Sequence, residues 1–295
     1  MATATVTSSA PTHTISLQAS GPAENNVLNW DVADSAKPSS LHKIPEFTDK
    51  YAERQWAKQH MAAAFRTFAR LGWADGASGH ISLRDPVDPK LFWINPYAKH
   101  FALMKASDLV LIDHAGQPME ETTHQVNAAG FIIHSSIHQA RPDLNAVAHM
   151  HSPYGRAWSC FGRGLEMLNQ DSCMFYRGLD VYESFGGVVL AREEGQRVAD
   201  ALGTSGKNLI LQNHGLLTAG ATVDEAAASF IALERACQAQ LLAEGAAANG
   251  IPKKLVGEEE ALYSYEVSGY PACMHWQFMP EFDLTVHLSG GEVLK

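Results

Sequence analysis

The stretch that decides the fold is VNAAGFIIHSSIHQARPDLNAVAHMH, residues 126–151. Its first half repeats apolar residues at helical spacing, and the R-P-D turn at residues 141–143 ends the predicted helix. Its last six residues form an apolar run that leads into two histidines, which is typical of a buried strand. A helix, a turn and a strand therefore follow one another here, and elements of both kinds alternate along the rest of the chain.

Three histidines in and beyond this stretch predict a metal site. Alternate side chains of a strand point to one face, so His149 and His151 share a side while Met150 points away, and two imidazoles so placed can reach one ion. His214 follows an apolar run, and we predict a single strand over residues 208–218 that passes through it. A His-x-His pair also occurs by chance, so spacing alone leaves a structural, hydrogen-bonded role open.

Further segments make the pattern specific. Residues 77–84 read ASGHISLR, residues 92–97 read FWINPY, and residues 107–113 read SDLVLID. Together with the helix, the R-P-D turn, the His-x-His strand and the later N-H-G, this order resembles the class II aldolase/adducin family over about residues 50–245. The resemblance implies a three-layer α/β/α domain with a mostly antiparallel central sheet. It also implies homotetramers with active sites near subunit interfaces.

The resemblance implies a divalent cation as cofactor. The family's three metal-binding imidazoles map onto His149, His151 and His214. Zn²⁺ is the expected ion, and Fe²⁺, Mn²⁺ and Co²⁺ also suit such ligands. The glutamate that the family's sugar-phosphate aldolases use as acid and base maps onto Gly130, so the chain resembles an adducin-like branch that lacks this carboxylate.

The substrate implied by this departure carries no phosphate. Ala128 and Ala129 stand where the aldolases use hydroxyl groups to hold the substrate phosphate. An alanine donates no hydrogen bond, and each charge-assisted bond that is lost is worth about 1.5–3 kcal/mol. A simple sugar phosphate is therefore disfavoured.

Other side chains are candidates for the catalytic and substrate-binding roles. The candidates for the catalytic acid or base are His80, Tyr97, Tyr154 and Asp171. The candidates for substrate binding are Arg84, Asn95 and Asn127. Each has a plainer alternative, since tyrosines in proline turns pack as readily as they react, and an arginine at a strand end commonly pairs with a nearby acid.

Three classes of function remain open. The first is a metal-dependent lyase, a decarboxylase or retro-aldolase, that acts on a non-phosphorylated oxo or hydroxy acid through a metal-stabilised enolate. The second is an Fe(II)-dependent oxygenase on the same three histidines. The third is a non-catalytic, adducin-like interaction protein. The intact set of three histidines favours an enzyme.

Composition restricts the partners. The 295 residues are 46% hydrophobic and 18% charged, which suffices for one large core. The net charge of -10 argues against nucleic acid and against anionic membranes. The four cysteines lack C-x-x-C spacing, and no apolar run is long enough for a bilayer. We therefore expect a cytoplasmic protein that binds a small-molecule substrate, and the family resemblance implies that it is a homo-oligomer.

The chain divides into three predicted regions. Residues 1–45 are rich in Ser, Thr, Ala and Pro and predict a flexible N-terminal arm. Residues 46–250 correspond to the class II aldolase/adducin-like domain. Residues 251–295 hold several aromatic residues and predict a C-terminal extension that packs on the core or on a neighbouring subunit.

Overall fold

The structure is a computed structural model that describes residues 43–187 and 192–295. The predicted N-terminal arm, residues 1–45, falls almost wholly outside these ranges. The apolar segment VVLA, residues 188–191, also lies outside them.

Seven strands in the described ranges form one sheet. They are β1 (His80–Arg84), β2 (Phe92–Ile94), β3 (Val110–Ile112), β4 (Ala146–Met150), β5 (Leu179–Tyr182), β6 (Asn208–Leu211) and β7 (Gly215–Gly220). Their order across the sheet is β3-β2-β1-β4-β7-β6-β5. Only β5 and β6 are parallel, and the other neighbours are antiparallel. The expected sheet, mostly antiparallel, is thus confirmed, with one parallel pair at its edge.

Seven α-helices accompany the sheet in the same ranges. They are α1 (Lys50–Arg70), α2 (Ala128–Ala140), α3 (Pro153–Ser159), α4 (Arg192–Leu202), α5 (Val223–Ala248), α6 (Glu258–Ser268) and α7 (Pro271–Leu288). Across residues 43–187 and 192–295, no helix combines the length and apolar character that a membrane crossing requires.

Helices cover both faces of the sheet. On one face, α2 and α4 pack against the strands through an apolar cluster that includes Ile137 and Val198. On the other face, α1, α5 and α7 contribute Phe65, Phe230 and Phe278 to a larger cluster. This arrangement confirms the three-layer α/β/α architecture.

Strand β4 lies near the middle of the sheet and is buried on both faces. Ala146, Ala148 and Met150 face the cluster of α1, α5 and α7, whereas Val147 faces α2 and α4. Because side chains alternate along a strand, His149 points to the same side as Val147. A strand covered on both faces is apolar at nearly every position, and His149 is the polar exception.

The R-P-D turn after α2 is anchored by its arginine. Helix α2 begins after Asn127, whose side chain accepts a hydrogen bond from the Gly130 backbone at 3.1 Å, an N-cap that satisfies a free helix amide. At the other end, buried Arg141 binds the Asp143 carboxylate through two hydrogen bonds of 2.7 and 2.8 Å and also donates to the Gly206 carbonyl at 2.7 Å. The turn therefore holds α2 at a defined position beside β4.

A buried carboxylate ties the C-terminal helix to the core. Met274 and Phe278 of α7 belong to the larger apolar cluster. Asp224, at the start of α5, accepts hydrogen bonds from His60 Nδ1 on α1 and His275 Nδ1 on α7, both at 2.7 Å. Burial alone would raise the pKa of Asp224, but the hydrogen bonds from the two histidines outweigh it and hold the pKa below its ordinary value.

We predict that Asp224→Asn destabilises the protein by about 2–4 kcal/mol, because two hydrogen bonds to a charged acceptor are weakened in a buried site. Urea unfolding measures the loss. Asp283→Asn, which changes an exposed acid on α7, serves as the control and should leave the free energy of unfolding unchanged. Equal stability of the two variants would contradict the role of Asp224.

Candidate active site

The histidines at positions 149, 151 and 214 converge at one end of the central strands. One ligand atom from each lies within 4.8 Å of those of the other two. The centroids of the imidazole rings are 4.6 to 5.2 Å apart. This is the cluster that the sequence predicts, assembled from a strand end and a turn.

The predicted single strand through His214 is wrong. Strand β6 ends at Leu211 and β7 begins at Gly215, so His214 lies in the tight turn of an antiparallel hairpin. Asn213 adopts φ +58°, and the His214 amide donates to the Leu211 carbonyl at 3.0 Å. Asparagine tolerates this left-handed conformation better than most residues, so N-H-G was a turn signal. The turn brings His214 beside His149, because β7 pairs directly with β4.

Hydrogen bonding selects the proton position on the most buried ligand candidate. His149 Nδ1 lies 2.8 Å from the Leu216 carbonyl, which can only accept, so Nδ1 carries the proton. The lone pair of the neutral ring is then on Nε2, the nitrogen left for a cation. Backbone carbonyls fix metal-binding histidines in this way in many proteins.

All three rings are held in the neutral form. Burial lowers the pKa of His149 well below its ordinary value, and the neighbouring His214, His80 and His151 lower it further. Burial lowers the pKa of His214 to about 4. Burial also lowers the pKa of His151, and the positive charge of Arg156 adds to this effect. Neutral imidazoles are the form that binds divalent ions, so the donor set suits a metal.

The cluster lines a cavity of about 660 Å³. Among the lining residues that the structure describes, none is an aspartate or glutamate, and the single permanent cation is Arg156. Phe185 lies at the wall near His214, with 6.4 Å between ring centroids. A carboxylate-free site that offers neutral ligands and one guanidinium is suited to an anionic ligand beside a metal.

Arg156 was missed by the sequence reasoning. It belongs to α3, the short helix that starts two residues after His151, and its Nη1 lies 3.1 Å from Asp75 Oδ2. The S-P-Y-G-R run directly after the His-x-His pair was the available signal. A helix that starts at this proline places the residues of its first turn close to the two histidines.

His80 occupies the space that a side chain at position 130 would need. A Cβ on Gly130 would lie 2.4 Å from His80 Cδ2 and 2.6 Å from His80 Nε2, closer than real contacts allow. Both residues line the cavity, and the His80 ring lies 5.0 Å from the His149 ring between centroids. Any side chain larger than glycine at position 130 would therefore displace the His80 ring.

A line of buried hydrogen bonds runs away from the cavity behind His80. His80 Nδ1 lies 2.7 Å from His134 Nε2, and His134 Nδ1 lies 2.6 Å from Ser82 Oγ. Ser82 Oγ lies 2.7 Å from His138 Nε2, and His138 Nδ1 lies 3.1 Å from the Leu144 carbonyl. The four side chains are at most 5% exposed. The spacings 80/82 on a strand and 134/138 on a helix each put two residues on one face, which was the signal for this network.

Two further predicted residues line the cavity. Tyr97 is 47% exposed at its mouth, and Asn127 lies at the start of α2, where its side chain also caps the helix.

The remaining predicted residues lie elsewhere. Arg84 donates to the His138 carbonyl at 2.6 Å, at the far end of β1. Asn95 is buried behind the cavity wall, 3.5 Å from the Gly79 carbonyl. Tyr154 is 40% exposed outside the lining, and Asp171 is exposed in a separate surface pocket. Within one chain, these four do not join the three histidines.

Comparison with known proteins identifies the family. Residues 59–241 match the family described as Class II Aldolase and Adducin N-terminal domain. The chain belongs to this family. It is 41% identical over 228 residues to decarboxylase NovR of Streptomyces niveus, which covers 77% of this chain and 83% of that protein.

Other relatives carry different names. The chain is 43% identical over 204 residues to 4-hydroxy-3-prenylphenylpyruvate oxygenase/4-hydroxy-3-prenylbenzoate synthase of Streptomyces roseochromogenus, covering 68% of this chain and 73% of that protein. Among solved structures, L-fuculose 1-phosphate aldolase from Glaciozyma antarctica superposes with a TM-score of 0.78 at 39% identity, covering 86% of this chain and 97% of that one. The resemblance read from the sequence motifs is thereby confirmed.

We predict that His149→Ala and His214→Ala abolish metal retention, because two imidazoles hold a divalent ion far more weakly than three. Elemental analysis of the purified variants is the measurement. His287→Ala, which removes an exposed histidine on α7, and Cys173→Ala, which removes a buried thiol, are the controls and should keep the metal. Equal metal content in all four variants would exclude this cluster as the metal site.

We also predict a pH-dependent stability gap between the wild type and His138→Gln. Burial lowers the pKa of His138 from 6.5 to about 3, and the Arg84 charge contributes. Between these values the unfolded chain binds the proton and the folded chain does not, so wild-type stability falls as the pH falls through this window. Glutamine does not titrate, and the wild-type advantage should shrink by about 1.4 kcal/mol per pH unit. Urea unfolding at neutral pH and at two values below 6.5 measures the gap; a constant gap would contradict the low pKa.

Proposed function

We propose that the protein is a metal-dependent lyase, of the decarboxylase or retro-aldolase type, that acts on a non-phosphorylated oxo or hydroxy acid through a metal-stabilised enolate. The observation that carries this proposal is the set of three neutral imidazoles in a cavity whose described lining holds Arg156 and no carboxylate. The similarity to decarboxylase NovR supports the same class of reaction.

The donor set fits a divalent cation, with His149, His151 and His214 as the proposed ligands. Three neutral ligands leave the ion its full charge, and when bound it would polarise a carbonyl oxygen and stabilise the negative charge that cleavage of a carbon–carbon bond leaves behind. Zn²⁺ is the ion we propose, because it needs no redox partner for this chemistry.

The chain's own residues supply binding and proton transfer. We assign the binding of the substrate carboxylate to Arg156, because a guanidinium can donate two parallel hydrogen bonds to a carboxylate. Asn127 and Tyr97 line the same cavity and orient the substrate. For a hydroxy acid, His80 Nε2 takes the hydroxyl proton as the carbon–carbon bond breaks and returns it to the carbon left with the electron pair.

A phosphorylated substrate is the competing proposal, and the similarity to an L-fuculose 1-phosphate aldolase favours it. Against it stands Gly130, which leaves no carboxylate at the start of α2 to serve as acid and base. The described lining also offers a single guanidinium for a dianion. We therefore prefer a carboxylate as the anionic group.

The proposed function is tested by metal analysis followed by an activity screen. Protein purified without chelator or nickel resin is analysed for metal, and the metal-loaded protein is then incubated with β-keto, 2-oxo and hydroxy acids and with sugar phosphates. About one zinc per chain and release of carbon dioxide or an aldehyde from an acid would support the lyase. Cleavage of sugar phosphates alone would overturn the substrate assignment.

An Fe(II)-dependent oxygenase is the second candidate, and the 43% identity to the prenylphenylpyruvate oxygenase is the observation that favours it. Zinc cannot change its oxidation state and iron can, so about one iron per chain together with oxygen consumption would select the oxygenase. Failure to take up any metal would instead leave the non-catalytic, adducin-like role.

We further propose a cytoplasmic homotetramer, the assembly that the family resemblance implies. In such an assembly, we place Tyr154 and Asp171 at the cavity of a neighbouring subunit, because both are exposed outside their own chain's cavity. Light scattering on the purified protein measures the assembly, and a monomer at working concentration would exclude this role.

Arg156→Gln should raise the KM for a carboxylate substrate by about tenfold or more, because a charge-assisted hydrogen bond contributes about 1.5–3 kcal/mol. Metal content should stay unchanged. Arg163→Gln is the matched control, since the Arg163 and Arg156 side chains are 51% and 52% exposed and only Arg156 lines the cavity. Identical KM values for the two variants would remove Arg156 from substrate binding.

A further inference from the structure

The direction of every hydrogen bond behind His80 follows from one backbone carbonyl. The Leu144 carbonyl can only accept, so His138 Nδ1 donates to it. His138 is neutral because burial lowers its pKa to about 3, and its Nε2 therefore accepts from the Ser82 hydroxyl. The hydroxyl has one hydrogen, so Ser82 Oγ must accept from His134 Nδ1.

The same reasoning reaches the cavity. With its proton on Nδ1, a neutral His134 has its lone pair on Nε2 and accepts from His80 Nδ1 at 2.7 Å. His80 then has its own lone pair on Nε2. This nitrogen lies at the cavity wall, against the Gly130 backbone at the start of α2.

We propose that His134, Ser82 and His138 are positioning residues that fix the tautomer of His80, so that its unprotonated Nε2 is a hydrogen-bond acceptor for a ligand hydroxyl group in the cavity. The preference for a hydroxyl rests on the proposed function, whereas the tautomer follows from the hydrogen bonds alone.

The geometry allows only one direction for the hydrogen bonds among His80, His134, Ser82 and His138. The reverse polarity needs a proton on His138 Nε2, and His138 Nδ1 would then face the Leu144 carbonyl without a hydrogen, two acceptors at 3.1 Å in a buried site. The four side chains are buried, so water cannot readily replace a lost partner. Helix α2 and strand β1 contribute two residues each, which makes His80 dependent on the packing of α2 against the sheet.

The direct test reads the position of the proton. Protein labelled with ¹⁵N-histidine is examined by two-bond ¹H–¹⁵N correlation spectra, with and without zinc, and the His80 signals are assigned from their loss in His80→Gln. We expect the pyrrole-type nitrogen at Nδ1 and the pyridine-type nitrogen at Nε2. A proton on His80 Nε2 in the wild type overturns the proposal.

Ser82→Ala tests the line itself. Without the hydroxyl, His134 is free to carry its proton on Nε2 and donate to His80 Nδ1, which moves the His80 proton to Nε2. We expect this tautomer to gain population and kcat for a hydroxy acid to fall by about tenfold or more, the scale typical of losing such a partner. KM for an oxo acid and metal content should stay unchanged.

Thr218→Val is the matched control. Thr218 is a fully buried hydroxyl on β7 that donates to the Ala226 carbonyl at 2.7 Å, outside the line. It should leave the His80 tautomer and kcat as in the wild type. A Ser82→Ala spectrum equal to that of Thr218→Val would contradict the proposal. The expected tautomer in a protein that converts none of the acids tested would support the line and count against the proposed function alone.

Discussion

The antiparallel pairing of β4 with β1 on one side and β7 on the other is the constraint on which the site depends. It sets His149 opposite both His80 and Leu217. The turn before β7 then carries His214 to the same end of the sheet. A slip of one residue in either pairing would turn His149 to the opposite face, where Met150 packs in the apolar core, and the three imidazoles would no longer meet.

Burial gives this end of the sheet its chemistry. Several histidines are kept neutral there because a charged ring would lose its hydration. Hydrogen bonds within the protein replace water at the buried rings of His80, His134, His138 and His149. Carboxylates are absent from the described cavity lining, and Arg156, which is paired with Asp75 outside it, is the permanent cation there. Such a site accommodates a cation, bound by the neutral imidazoles, together with an anionic small molecule near the guanidinium.

Local patterns predicted much of this structure. The sequence predicted the helix before the R-P-D turn and the orientation of His149 away from Met150, because each depends on spacing within a few residues. It also showed that position 130 carries no carboxylate. The hairpin at His214 was not predicted, since the apolar run on both sides of it suits one long strand as well as two short ones. Arg156 was missed because its approach to the ligands depends on where α3 starts.

By itself the sequence determined the resemblance to the family, which rests on the order of its motifs. That resemblance in turn implied the layered α/β/α architecture and mapped the metal ligands onto three histidines. Only the tertiary structure decided that the His80 ring fills the space beside Gly130 and that hydrogen bonds connect it through His134 and Ser82 to His138. Those contacts join residues about fifty positions apart, and they exist only when the helix is packed on the sheet. Long-range packing therefore chooses which of many polar side chains reach the cavity.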